Sequence, residues 1–199
     1  MKTENELPKR KHPRLKEYDY SSNGYYFVTI CTKDMKCIFG RVEKNVGWGL
    51  APTEREYKDT KIALSPYGLV AEKQLFAIEK RYDYVKIDKY VIMPNHIHAI
   101  IVLDGKAAGA RSHLPVRSVL LLRRGVHRTP APRPTLPDIM CAYKSLTTRE
   151  CNKISNIKGR QIFQASFYEK VIRSEEGYLE VWQYIDENPR KWQNDEYFA

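Results

Sequence analysis

Cysteine is sparse in this chain: Cys31, Cys37, Cys141 and Cys151 are the four among 199 residues, and no two form a CxxC pair. Their scatter argues against a zinc ribbon and against a dense secreted disulfide framework. No apolar run approaches the roughly 20 residues that a membrane-spanning helix needs. The N-terminus, MKTENELPKRKHPRLKEYDY, lacks the apolar core of a signal peptide. The expectation is a cytoplasmic protein in a reducing compartment with no membrane partner. Internal repeats are absent as well. Negative charge is in deficit, with 24 Asp and Glu against 34 Lys and Arg, a formal net charge of +10 and a pI near 9.4. Such a field attracts polyanions, of which nucleic acid is the commonest.

A hydrophobic content of 42% is enough for one core, so one domain is expected over residues 19–199, preceded by a flexible basic arm over residues 1–18. Lys9, Arg10, Lys11 and Arg14 crowd that arm, and are read either as phosphate contacts or as a solvated tail. After the turn signal Ser-Ser-Asn-Gly, the aromatic and β-branched run Tyr25 to Thr32 predicts a core strand, with Cys37 to Val42 as its hairpin partner. The stretch from Gly47 to Asp59 carries no clear pattern. Ser65-Pro66 reads as a helix start, running to about Lys80. Val85 to Ile92 and His96 to Leu103 read as a hairpin about the turn Met93-Pro94-Asn95.

From Gly105 to Pro137 the periodicity is lost in an Arg- and Pro-rich stretch, read as a long basic loop or insertion. Asp138 is expected to cap a second helix ending near Lys153. Phe167 to Arg173 is expected as a last strand. A third helix, capped by Ser174, should end at the Asn188-Pro189 step. This order predicts an α+β fold: a ferredoxin-like antiparallel sheet with helices packed on one face, plus an extra hairpin strand and a C-terminal helix.

Within the run YVIMPNHIHAIIVL, His96 and His98 are two residues apart and share one face of a strand. Two readings fit: a pair of ligands for one metal ion, or two hydrogen-bonded histidines in a sheet. In the last helix, Tyr178, Val181, Trp182 and Ile185 form an apolar stripe. Tyr184 and Asn188, four apart, stack together on a neighbouring face. If this helix lies over the histidine strand, Asn188 supplies an amide oxygen and Tyr184 a hydroxyl beside the metal, and the mixed N/O set suits Mg²⁺ or Mn²⁺. By position alone, Tyr184 reads first as a helix rim residue. Lys144 and Arg173 are read as phosphate contacts or as solvated surface.

The blocks MPNHIH and YIDENP, with YDYSSNGYYFVTICT, IFG, YKSLTTRE and FYEKVIR in order between and around them, resemble the HUH-type single-tyrosine transposases, specifically the REP-associated branch. The resemblance spans most of residues 10–192. It implies that His96 and His98 bind a divalent cation, that Tyr184 attacks the DNA backbone and becomes linked to the 5′ end, and that Asn188 completes the metal site. It implies cleavage and rejoining of single-stranded DNA near hairpin-forming palindromes. Relatives often carry a tryptophan before the FYEK-like strand, where this chain has IFQAS. A non-catalytic ferredoxin-like module binding structured DNA or RNA is the alternative, and a hydrolase using water as nucleophile a third. Monomer and homodimer both stay open, as does whether the last helix serves its own site or a neighbour's.

Overall fold

The computed structural model describes residues 18–43, 60–105 and 133–198. The basic arm with Lys9, Arg10, Lys11 and Arg14, the stretch 44–59 and most of the Arg/Pro-rich segment lie outside them. The elements are β1 (Gly24–Cys31), β2 (Gly40–Glu43), β3 (Lys61–Leu64), α1 (Pro66–Arg81), β4 (Val85–Ile92), β5 (His96–Leu103), α2 (Leu136–Ile154), β6 (Tyr168–Ile172) and α3 (Glu175–Lys191). A four-stranded antiparallel sheet has the order β4-β5-β1-β6. With α1 and α2 as crossovers this is the ferredoxin-like α+β layout expected from the element order.

Period-2 alternation sorts the sheet into two faces. Tyr26, Val28 and Ile30 of β1 and Ile97, Ala99, Ile101 and Leu103 of β5 pack with α1 (Ala71, Leu75, Ile78) and α2 (Leu136, Ile139, Met140, Tyr143) in the main core. The other face carries a smaller cluster in which Phe27 and Ile100 meet Val181 and Ile185 of α3. The helices of the main layer therefore share one face, and the C-terminal helix takes the opposite one. A bulge between Ile87 and Lys89 re-aims the β4 edge. Its Asp88 accepts a 2.6 Å hydrogen bond from the Tyr178 hydroxyl. Lys89 pairs with Asp186 at 2.6 Å and lies 3.6 Å from the centre of the Trp182 ring. These contacts pin α3 across the sheet.

Three local expectations need correction. The segment after β1 does not return as its hairpin partner: β2 pairs with β3 in a separate two-stranded ribbon, because β5 and β6 already occupy both edges of β1. The cap of α2 is Thr135, not Asp138. Asp138 is the third residue of a capping box, accepting from Thr135 N at 2.9 Å while the Thr135 side chain accepts in return. Finally, α3 runs through Pro189 to Lys191. Proline there removes the donor that would bond to Ile185. The loss is offset by burial of Ile185 before it and of Trp192 after it.

Gly68 in the first turn of α1 donates its N–H to Ser65 Oγ at 3.1 Å. A Cβ at this position would overlap the Phe39 carbonyl oxygen and approach Leu64 Cδ2 at 3.0 Å. Helix propensity alone favours alanine over glycine by about 1 kcal/mol. Backbone overlap outweighs it, so Gly68→Ala is expected to destabilise the fold by about 2 kcal/mol. Chemical denaturation read by far-UV circular dichroism checks the sign.

Candidate metal and nucleophile site

His96 and His98 open β5 at the centre of the sheet and are fully buried on the face that α3 covers. The turn before them is held by its own backbone: Asn95 O accepts from Thr32 N, Pro94 O from Phe39 N, and His96 O from Met93 N. The Asn95 amide donates to Tyr197 O at 2.7 Å and to Met35 O at 3.2 Å. Those two carbonyls leave the Asn95 oxygen facing His96 Nδ1 at 2.8 Å. The hydrogen-bond network therefore puts the proton on Nδ1 and leaves Nε2 of His96 a bare acceptor. Met35, whose carbonyl takes part, has φ 54°, a left-handed conformation uncommon for a non-glycine residue.

Register places Thr29 of β1 directly opposite His98, and Thr29 Oγ1 lies 2.9 Å from His98 Nδ1. On the other side of the ring, the Tyr184 hydroxyl is 3.3 Å from His98 Nε2. Phe27 stacks on His98 at 5.3 Å and meets the Tyr184 ring edge-on at 6.0 Å. The phenol is thus gripped from two sides yet 39% exposed, so it reaches a partner from solvent.

Asn188 is 2% exposed and continues the Val181–Ile185 stripe rather than standing beside it. Its Nδ2 donates to Asp195 Oδ2 at 2.7 Å. Asp195 Oδ1 accepts from Tyr197 N, also at 2.7 Å. A ring nitrogen of each histidine and a carboxylate oxygen of Asp195 all lie within 4.8 Å of one another. Asp195 carried no signal in the sequence, since it lies in the irregular turn after α3, within no periodic element. The Tyr197 ring covers both imidazoles, at 4.7 Å from His96 and 5.8 Å from His98.

Burial pushes the His96 imidazole down to about 4, against smaller upward effects of Asp195 and Asn188. His98 also titrates well below its ordinary value, through burial first and its neighbour His96 second. Both rings are therefore neutral near pH 7, the form a metal ligand requires. Burial, then the Asp195 and Glu196 carboxylates, raises the Tyr184 phenol to about 12. His96 Nε2 and Asn188 Oδ1 are buried acceptors with no hydrogen-bond donor. Leaving such a group unsatisfied costs about 1–3 kcal/mol. Two orphan acceptors, a second neutral imidazole and a carboxylate fit a divalent cation.

The other residues singled out in the sequence lie elsewhere. The Lys144 ammonium donates to the carbonyls of Gln164, Ala165 and Ser166, at 2.5, 2.9 and 3.2 Å, tying α2 to the approach to β6. Arg173 is exposed beyond the far end of β6. It is five residues from Tyr168, which pairs with Thr29, so about 15 Å along the strand from the histidine rung. The four arm residues are outside the described segments.

No protein-family model matches the chain. Among solved structures, a REP-associated tyrosine transposase bound to a REP hairpin is similar over 89% of this chain and 73% of its own, with 15% identity and a TM-score of 0.47. A candidate transposase from Deinococcus radiodurans is similar over 87% of this chain and 95% of its own, with 13% identity and a TM-score of 0.38. An uncharacterized protein of Haemophilus influenzae is 31% identical over 192 residues, covering 96% of this chain and 93% of that protein. At that identity over almost the whole of both chains, the protein belongs to the same family as this Haemophilus influenzae protein.

Proposed function

We propose that the protein is a metal-dependent endonuclease and strand transferase, a transposase of the HUH type acting on single-stranded or hairpin DNA with Tyr184 as nucleophile. One observation carries the reading: an accessible phenol 3.3 Å from a buried imidazole, beside a cluster of acceptors lacking donors. A purely structural histidine pair would have its ring nitrogens satisfied. The +10 charge and the MPNHIH and YIDENP resemblance support a DNA substrate.

His96, His98, Asn188 and Asp195 would hold the cation, Mg²⁺ or Mn²⁺ by the donor types. Such a cation, when bound, supplies Lewis-acid polarisation of the scissile phosphate. The chain's own residues perform the remaining work. Asn95 and Thr29 lock the orientation of the two imidazoles, and Phe27 and His98 fix the Tyr184 ring, which limits the orientational entropy lost on attack. In the proposed step the Tyr184 hydroxyl gives up its proton and its oxygen forms a bond to phosphorus. The bond from phosphorus to the 3′ oxygen breaks, and that oxygen takes up a proton as a free 3′ hydroxyl. The 5′ end stays on the tyrosine as a phosphodiester, and attack by a 3′ hydroxyl reverses the step. No ATP enters, because one phosphodiester is exchanged for another.

Incubating wild type and Tyr184→Phe with 5′- and 3′-labelled hairpin oligonucleotides and Mn²⁺, then resolving the products on a denaturing gel, tests this directly. A label shifted to protein size is expected for wild type alone. Cleavage that survives Tyr184→Phe would point to water as the attacking group, and binding without cleavage in both to a binding module. For the metal, Mn²⁺ titration followed by electron paramagnetic resonance is expected to give one site, weakened at least roughly tenfold by His96→Ala or Asp195→Ala. Unchanged Mn²⁺ binding in both variants would remove this ligand set.

A further inference from the structure

Tyr184 and His98 line a cleft of about 520 Å³ whose other wall is β6. Two β6 residues line it, Tyr168 and Lys170, two positions apart and so on one face of the strand. That face is the site's own. Tyr168 pairs with Thr29, which pairs with His98, so the three share one row across the sheet. In the next row of the same face, Lys170 pairs with Phe27 and Phe27 with Ile100. β6 is an edge strand, and Tyr168 is 49% exposed there. Two strand spacings separate it from His98, roughly 10 Å, which is about the reach of one nucleotide from its phosphate to its base.

We infer that this cleft is a subsite for a single unpaired nucleotide next to the scissile phosphate, with the base stacked on Tyr168 and the phosphate following it beside Lys170. This rests on the reading of Tyr184 as a nucleophile toward DNA. A large flat side chain held half exposed on an edge strand is expensive surface to leave in water, and base stacking is what such a ring offers an unpaired strand. Glu180 and Glu196, two acidic residues, also line the cleft. These repel a second phosphate and accept hydrogen bonds from base N–H groups. Charge in the cleft thus favours one base with one adjoining phosphate over a run of backbone.

The test uses full-length protein carrying Tyr184→Phe, so that binding is read without cleavage, and fluorescence anisotropy with a labelled dC 12-mer and with a 12-mer of abasic spacers. Adding Tyr168→Ala is expected to weaken binding of the dC 12-mer about tenfold, with Tyr168→Phe close to the parent. The abasic 12-mer should bind more weakly and equally to all three. Lys170→Ala should lower the salt dependence of binding by about one phosphate contact. Tyr168→Ala binding both oligonucleotides like the parent, or losing both equally, would overturn the stacking subsite. Wild type that binds the dC 12-mer in a Tyr168-dependent way but forms no adduct with hairpin DNA would sink the transferase reading and leave the subsite standing.

Discussion

The pairing of β5 with β1 at the centre of the sheet is the constraint on which the other features depend. It is continuous over eight residue pairs, from Gly24 opposite Leu103 to Cys31 opposite His96. Because side chains alternate, the same eight residues of β5 send Ile97, Ala99, Ile101 and Leu103 into the main core and His96, His98, Ile100 and Val102 to the other face. A slip of one residue would exchange these sets. Each fully buried Ile or Leu stabilises the fold by about 1.5–3 kcal/mol. Burying His96 Nε2 and Asn188 Oδ1 without donors costs a similar amount per group. The core face therefore holds the polar face in place, and its register is strongly specified.

On the polar face, orientation is achieved by amides and carbonyls rather than by charge pairs. Asn95 is gripped by two carbonyls and sets the tautomer of His96. Asp195 takes the Asn188 amide on one oxygen and the Tyr197 backbone on the other. The segment after α3 is thus part of the site. It returns over the imidazoles because Trp192 is buried against His96, with ring centres 5.9 Å apart. α3 is fixed at its other end by the bulge in β4, through Tyr178 and Lys89. Tyr184 is held between these two anchors, on the side of the helix that meets β1 and β5.

What sequence patterning reveals and what it hides follow from the range of the interactions. Strands β4 and β5, helix α1 with its Ser65 cap and the pairing of His96 with His98 on one face are local: they need only alternation, a cap and a turn. The β2–β3 ribbon was not legible, since it depends on which strand edges are already taken. The passage of α3 through Pro189 was hidden for a similar reason. Local sterics favour a stop there, and only burial of Ile185 and Trp192 on either side overrides it. Asn188 was recognisable as a candidate ligand, yet its burial in line with Val181 and Ile185 emerges only once the helix is laid on the sheet.

The ferredoxin-like α+β class, the shared face of His96 and His98, the four-residue step from Tyr184 to Asn188 and the excess of positive charge are legible before any folding, because each follows from element order, spacing or composition. The docking of α3 on the face opposite α1 and α2, the return of Asp195 and Tyr197 onto the imidazoles and the place of Tyr168 and Lys170 beside Tyr184 arise only in the folded chain. Those placements bring together side chains of separate segments, such as His96 with Asp195 and Phe27 with Val181. They are set by strand order and helix docking, which no local period encodes.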